Sequence, residues 1–244
     1  MIRVWVFLWL LTGCASTPEP VPEPRPDAPS TLSRASVMDG NLAGLNLSLT
    51  PFSHLGRSVS PVRAELLAAE QRYLPYLLKT TLTESGFWGA VRVTPSIDVT
   101  AELNCQGQLL SASAAELQVQ LICRDALGKL WLDDRFDTRI APDAYLQAGV
   151  DGRDPYRPVM VRIANRLADG LASFTDEDRR RLRDAALLRY AQTLSPEGFD
   201  GYLAVDAEGL MQVQGLPASS DPMVARVQRI RDSEYQFIDA MDEQ

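Results

Sequence analysis

The sequence has a single histidine, His54, among 244 residues. A Ser-His-Asp or Cys-His site would have to be built on it, yet Ser53 is merely its chain neighbour and no GxSxG elbow occurs anywhere. A surface-loop histidine is the better reading of His54. The same count excludes a histidine-rich metal site, and the pair Cys105 and Cys123 is two ligands short of a closed zinc site. Walker and dinucleotide glycine patterns are missing, so no cofactor is called for. Basic residues are outnumbered, 24 against 32 acidic, for a formal charge of -8. That leaves no cationic excess to neutralise phosphates, which excludes nucleic acid as a partner and disfavours anionic lipid surfaces. Long apolar runs are scarce as well: the one present, Val4 to Leu11, is well short of the ~20 residues of a membrane-crossing helix.

Carboxylates are plentiful but poorly placed for catalysis. Asp133-Asp134 falls on alternate faces of a strand, and Asp176-Glu177-Asp178 stands at the start of a helix, so neither reads as a glycosidic acid/base pair. Asp151, Gly152 and Asp154 match a fragment of a calcium loop without the remaining ligand spacing. No catalytic and no metal-binding residue is assigned, and the chain is not expected to be an enzyme.

What is present begins with the leader MIRVWVFLWLLTGCAS. Arg3, the apolar run and the small residues after it have the layout of a secretory signal. Leu11-Thr12-Gly13-Cys14 resembles the lipobox of bacterial lipoproteins. The resemblance implies removal of residues 1–13, lipidation at Cys14 and anchoring in a membrane, each buried methylene adding ~0.8 kcal/mol of affinity. Ala15, a neutral residue after the modified cysteine, implies the outer membrane, with the protein facing the periplasm. Pro18, Pro20, Pro22, Pro24, Pro26 and Pro29 then preclude a helix or central strand. Residues 14–36 form a tether, of which residues 15–35, at ~3.1 Å per residue in a polyproline-like conformation, have a reach of ~60 Å.

Beyond the tether, an α+β fold is expected: a mainly antiparallel sheet covered by helices over residues 37–174, then a helical C-terminal region with a small hairpin over 175–244. Leu45, Leu47 and Leu49 alternate with polar residues as in a half-buried strand, which Pro51 ends. Residues 60–86 have helical period, with Pro75 predicting two helices or a kink near Tyr73. After a strand at 90–94, three limbs of alternating text follow. The first places Val99, Ala101, Leu103, Cys105, Gly107 and Leu109 on one face, and the second Leu117, Val119, Leu121 and Cys123. Gly128 suits the turn to the third. Cys105 and Cys123 then lie on adjacent strands within about a register step, as either a cross-strand disulfide or two buried thiols. Met160, Ile163, Leu167 and Leu171 mark a helix for the sheet, Thr175 caps another, and Asp206 to Gly209 turns a hairpin.

This order of elements, carried by LSLTPF, ESGFWGAVRVTP and TAELNCQGQLL…ELQVQLICRDALGKLW, resembles a small periplasmic α/β domain. That domain stands at the N-terminus of the Tol-system propeller protein, in curli-secretion lipoproteins and in outer-membrane activators of peptidoglycan synthases. The resemblance covers residues 44–174 and implies a binding or assembly module without catalysis. An envelope or secretion component is the expected partner; an activator of a peptidoglycan synthase is the narrower alternative, and a carboxylate-dependent hydrolase of envelope polymers the alternative of another class. The last helix carries Met223, Val227, Ile230, Phe237 and Met241 as an apolar stripe. Such a stripe packs on its own domain or offers a surface, and Tyr235, Phe237 and Ile238 are the candidate partner surface.

Overall fold

The structure, a computed structural model, describes residues 30–35, 44–54, 61–151, 154–218 and 220–242. The leader, Cys14 and most of the proline tether lie outside the described residues. The three alternating limbs fold as β4 (Leu103–Ala112), β5 (Glu116–Asp125) and β6 (Leu130–Arg139), an antiparallel meander. Gly128 takes φ +86° in the second turn, a conformation that costs glycine nothing. The first limb is shorter than its periodicity predicts: Val99 to Ala101 form a turn, held where Asp98 Oδ1 accepts from the Thr100 N–H.

The short strand β1 (Leu47–Leu49) enters this sheet beside β4 and runs parallel to it. After β2 (Ser53–His54), helix α1 (Pro61–Ser85) carries the chain back to β3 (Val91–Val93), parallel to β1 on its other side. The sheet order is β3-β1-β4-β5-β6, with β2 also on β4. β1 is therefore central and buried on both faces, rather than half-buried: Leu47 and Leu49 face the helices, and Ser48 Oγ lies 2.6 Å from Thr94 Oγ1 on the other side.

α1 runs through Pro75 as one helix, so of the two expected outcomes the division into two helices does not occur. Proline removes the N–H that would bond the carbonyl of Gln71, and the backbone N–H of Phe52 donates to that carbonyl instead, at 2.9 Å. With the orphaned acceptor satisfied from a neighbouring segment, interruption loses much of its advantage. Helix α2 (Pro142–Asp151) was not legible in the sequence, while α3 (Arg157–Leu171) was. α1 and α3 cover one sheet face, where Leu74, Leu78 and Leu82 meet Met160, Ile163 and Leu167 over Leu103, Leu109, Val119 and Leu121. Each such side chain stabilises by about 1.5–3 kcal/mol on burial.

α4 (Asp176–Leu194) starts at a capping box in which Thr175 and Asp178 satisfy each other's backbone N–H. The carboxylate cluster at 176–178 is thus a helix start. The hairpin β7 (Leu203–Val205) and β8 (Met211–Val213) follows, then α5 (Pro222–Asp242). Leu188, Tyr190, Ala191, Phe199 and Val227 form a second, smaller core between α4 and α5.

Candidate functional site

The sheet face opposite α1 and α3 is polar, and the C-terminal helix is fastened to its β3 edge. Alternation along β3 sends Val91 and Val93 into the core and Arg92 to the other side. There Arg92 Nε and Nη2 donate to the two carboxylate oxygens of Asp239 on α5, both at 2.7 Å. The guanidinium also lies 3.8 Å from the centre of the Tyr235 ring. The Tyr235 hydroxyl donates to the Thr100 carbonyl at 3.0 Å and lies 2.6 Å from Thr100 Oγ1. Lys79 on α1 donates to Asp242 at 2.6 Å and fixes the end of the helix.

The electrostatics follow from this burial. The Arg92 guanidinium holds the Asp239 carboxyl below the usual carboxylate range. Burial, with Asp98 and Glu102 nearby, pushes the Tyr235 phenol up to about 12. Burial also raises Glu102, against the pull of the Asn46 N–H that donates to its Oε2 at 2.6 Å. The arrangement is a clamp, with Arg92 Nε and Nη2 engaging both carboxylate oxygens of Asp239.

Fastening one side of α5 inward determines what its other side offers. Phe237 is 68% exposed and Met241 57%. Phe237, Ile230 and Ile238 give α5 a shallow apolar surface bordered by Arg226, Arg229, Ser233 and Glu234. Beside it, between α4 and α5, lies a half-enclosed pocket of about 300 Å³ whose wall includes Leu187, Phe199, Leu216, Val224 and Val227. Asp184 is the carboxylate at its edge, raised above the usual range by burial and then by Glu177.

The proposed partner surface is therefore divided. Phe237 points outward and Ile238 is half-buried beside it, but Tyr235 is turned into the clamp, which corrects its place in an exposed patch. Cys105 and Cys123 face each other in β4 and β5 and form a disulfide, Cα atoms 4.1 Å apart. The flanking Ala126 N–H donates to the Glu102 carbonyl, so the cysteines occupy the non-hydrogen-bonded pair, where side chains come closest. The bridge is part of the core and far from α5 in role. Cys14 lies outside the described residues. His54 is half-buried in β2 opposite Leu109. Asp133 and Asp134 diverge, the first accepting from Gln120 and the second paired with Arg166 of α3. Asp154 accepts from the Tyr156 N–H at the start of α3, while Gly152 lies outside the described residues. Among the described residues no group of three or more His, Cys, Asp or Glu could hold a metal ion, and no helix is long and apolar enough to cross a membrane.

No protein-family model and no curated protein matches this chain. Among solved structures, it is similar to PelC of Paraburkholderia phytofirmans, solved as a dodecamer, at 12% identity over 59% of this chain and 96% of that one, TM-score 0.37. A hypothetical protein of Chlamydia trachomatis is similar at 12% identity over 59% and 98%, TM-score 0.33. A putative neuraminyllactose-binding hemagglutinin homolog of Helicobacter pylori aligns at 12% identity over 61% and 97%, TM-score 0.30. Likeness at this level carries no functional argument.

Sequence reasoning missed Arg92, Asp239, Lys79 and Asp242. One signal was available: Tyr235, Asp239 and Asp242 stand at i, i+4 and i+7, on one side of a helix. The wall of the α4–α5 pocket, with Leu216 brought in from a loop, had no comparable signature.

Proposed function

We propose that this protein is a lipid-anchored outer-membrane lipoprotein whose periplasmic domain is a non-catalytic binding module for an envelope or secretion component. The observation that carries the binding reading is the mounting of α5. Its polar side is clamped by Arg92 and Lys79, which leaves Phe237 exposed on a surface it shares with Arg226 and Arg229, and Met241 exposed one turn further along the same fixed helix. Exposed aromatic and aliphatic side chains bordered by arginine are the residue types that dominate protein–protein contacts. Anchoring rests on the LTGCAS leader, and the proline segment supplies reach.

Both halves are testable in intact cells. Metabolic labelling with an alkyne fatty acid should mark the wild type and not Cys14→Ala, and the variant should leave the membrane fraction. A photo-crosslinker at Phe237 should capture an envelope protein, whereas one at the exposed Glu208 of the hairpin turn should not. Equal capture from both positions, or none from Phe237, would reject the α5 surface as the binding site.

A further inference from the structure

The sheet ends at β6, ten residues long, and among the described residues no strand pairs with its outer edge. A long free edge is a template for another strand. Ile140 donates its N–H inward to the Ala115 carbonyl, so even-numbered residues make the bonds to β5. The backbone groups of Asp133, Arg135, Asp137 and Arg139 consequently point outward. The Arg162 guanidinium, donating to the Asp137 carbonyl, agrees with that direction. The side chains of the same four residues are exposed on the face away from α3, and their charges alternate in sign.

We propose that β6 pairs edge to edge, antiparallel and centred on Phe136, with β6 of a second copy of this chain. In that register Asp133 faces Arg139 and Arg135 faces Asp137, and two-fold symmetry repeats both pairs, giving four contacts of opposite charge. The residues brought opposite one another are those whose N–H and C=O already point outward, so ladder bonds and charges select the same alignment. Sliding by two residues either way sets Arg135 on Arg135 or Asp137 on Asp137. The pattern thus fits itself in one register. Ladder pairing at Asp137 requires Arg162 to swing off that carbonyl. β3 lies at the opposite edge of the sheet, so the clamp and the outer side of α5 stay free in the pair.

Two differently tagged full-length copies, one Arg135→Cys and the other Asp137→Cys, should form a reductant-sensitive crosslink on mild oxidation. Asp133→Cys with Asp137→Cys, two residues out of register, should crosslink far less. Sedimentation of the full-length chain in nonionic detergent gives the second measure. The wild type should be a dimer in the micromolar range, Arg135→Glu should weaken it by about tenfold or more, and Arg135→Asp with Asp137→Arg should restore it, because the exchange recreates every opposite-charge pair. All four positions are exposed, and far-UV circular dichroism checks that the variants fold. A monomeric wild type, equal crosslinking by both cysteine pairs, or an exchange variant no stronger than Arg135→Glu would overturn the proposal.

Discussion

Removing either partner of the Arg92–Asp239 clamp should not cost the same. The Arg92 side chain is 9% exposed and that of Asp239 51%. In Asp239→Ala the guanidinium stays buried without its hydrogen-bonded carboxylate, with the Tyr235 ring against it and Asp98 as the remaining nearby carboxylate, and leaving a buried charge without its direct partner costs about 3 kcal/mol. In Arg92→Met the carboxylate left behind can hydrate, and the thioether fills much of the space of the arginine stem. After allowance for solvent screening of so exposed a carboxylate, the loss is about 1 kcal/mol. Because the clamp fastens α5 and not the main core, the difference belongs in local opening. Native-state hydrogen exchange should show the α5 amides about a hundredfold faster in Asp239→Ala and less than about tenfold faster in Arg92→Met, with the amides of β4 and β5 little changed. An Arg92→Met effect equal to or larger than that of Asp239→Ala would refute the assignment of the burial cost to the guanidinium.

Other consequences are sharper in sign than in size. A Cβ added at Gly107 would lie 2.3 Å from the buried Phe52 ring, so Gly107→Ala should lower stability by about 3 kcal/mol or more in urea titration, and Phe52→Leu in the same chain should recover part of it; a neutral Gly107→Ala would contradict the packing described. Replacing Cys105 and Cys123 together by alanine should lower stability by about 3 kcal/mol, and reductant should then have no further effect on the variant's midpoint; no loss in the variant would mean that the bridge does not constrain the chain. Thr175→Ala should cost about 1 kcal/mol by removing the cap of α4, read by thermal denaturation; an unchanged midpoint would count against the capping box. Burial raises Glu102 in the folded state, so its contribution is full below the ordinary glutamate value and is lost as pH rises through the folded value. Glu102→Gln, which keeps an acceptor for Asn46, should therefore stabilise at neutral pH and not in acid, and a gap from wild type that does not vary with pH would exclude burial of the charge as the cause.

The meander was legible because its alternation is local: Leu117, Val119, Leu121 and Cys123 declare a face within seven residues. The cysteine pairing needed only that alternation and one tight turn. That α1 continues through Pro75 as one helix was not legible, because the cost of the proline depends on whether the Gln71 carbonyl finds another donor, and that donor, Phe52, comes from before the helix. β1 misled because three residues alternate identically in a half-buried strand and in a central one; Ser48 is buried by elements that its own segment does not contain.

The C-terminal helix shows the same limit where function is concerned. Its sequence presents two sides, one apolar through Ile230, Phe237 and Met241, the other carrying Tyr235, Asp239 and Asp242, and helical period separates them correctly. Period alone favours turning the apolar side inward. The body of the protein reverses that preference at this end because the nearest strand presents a buried arginine, and a carboxylate with an aromatic ring answers a buried cation better than Phe237 would. What α5 exposes was thus decided in β3, more than 140 residues earlier in the chain. It follows that the exposed side of α5 can change without loss of its mount: Phe237→Ser should remove partner capture while leaving α5 exchange protected, whereas Asp239→Ala should lose both.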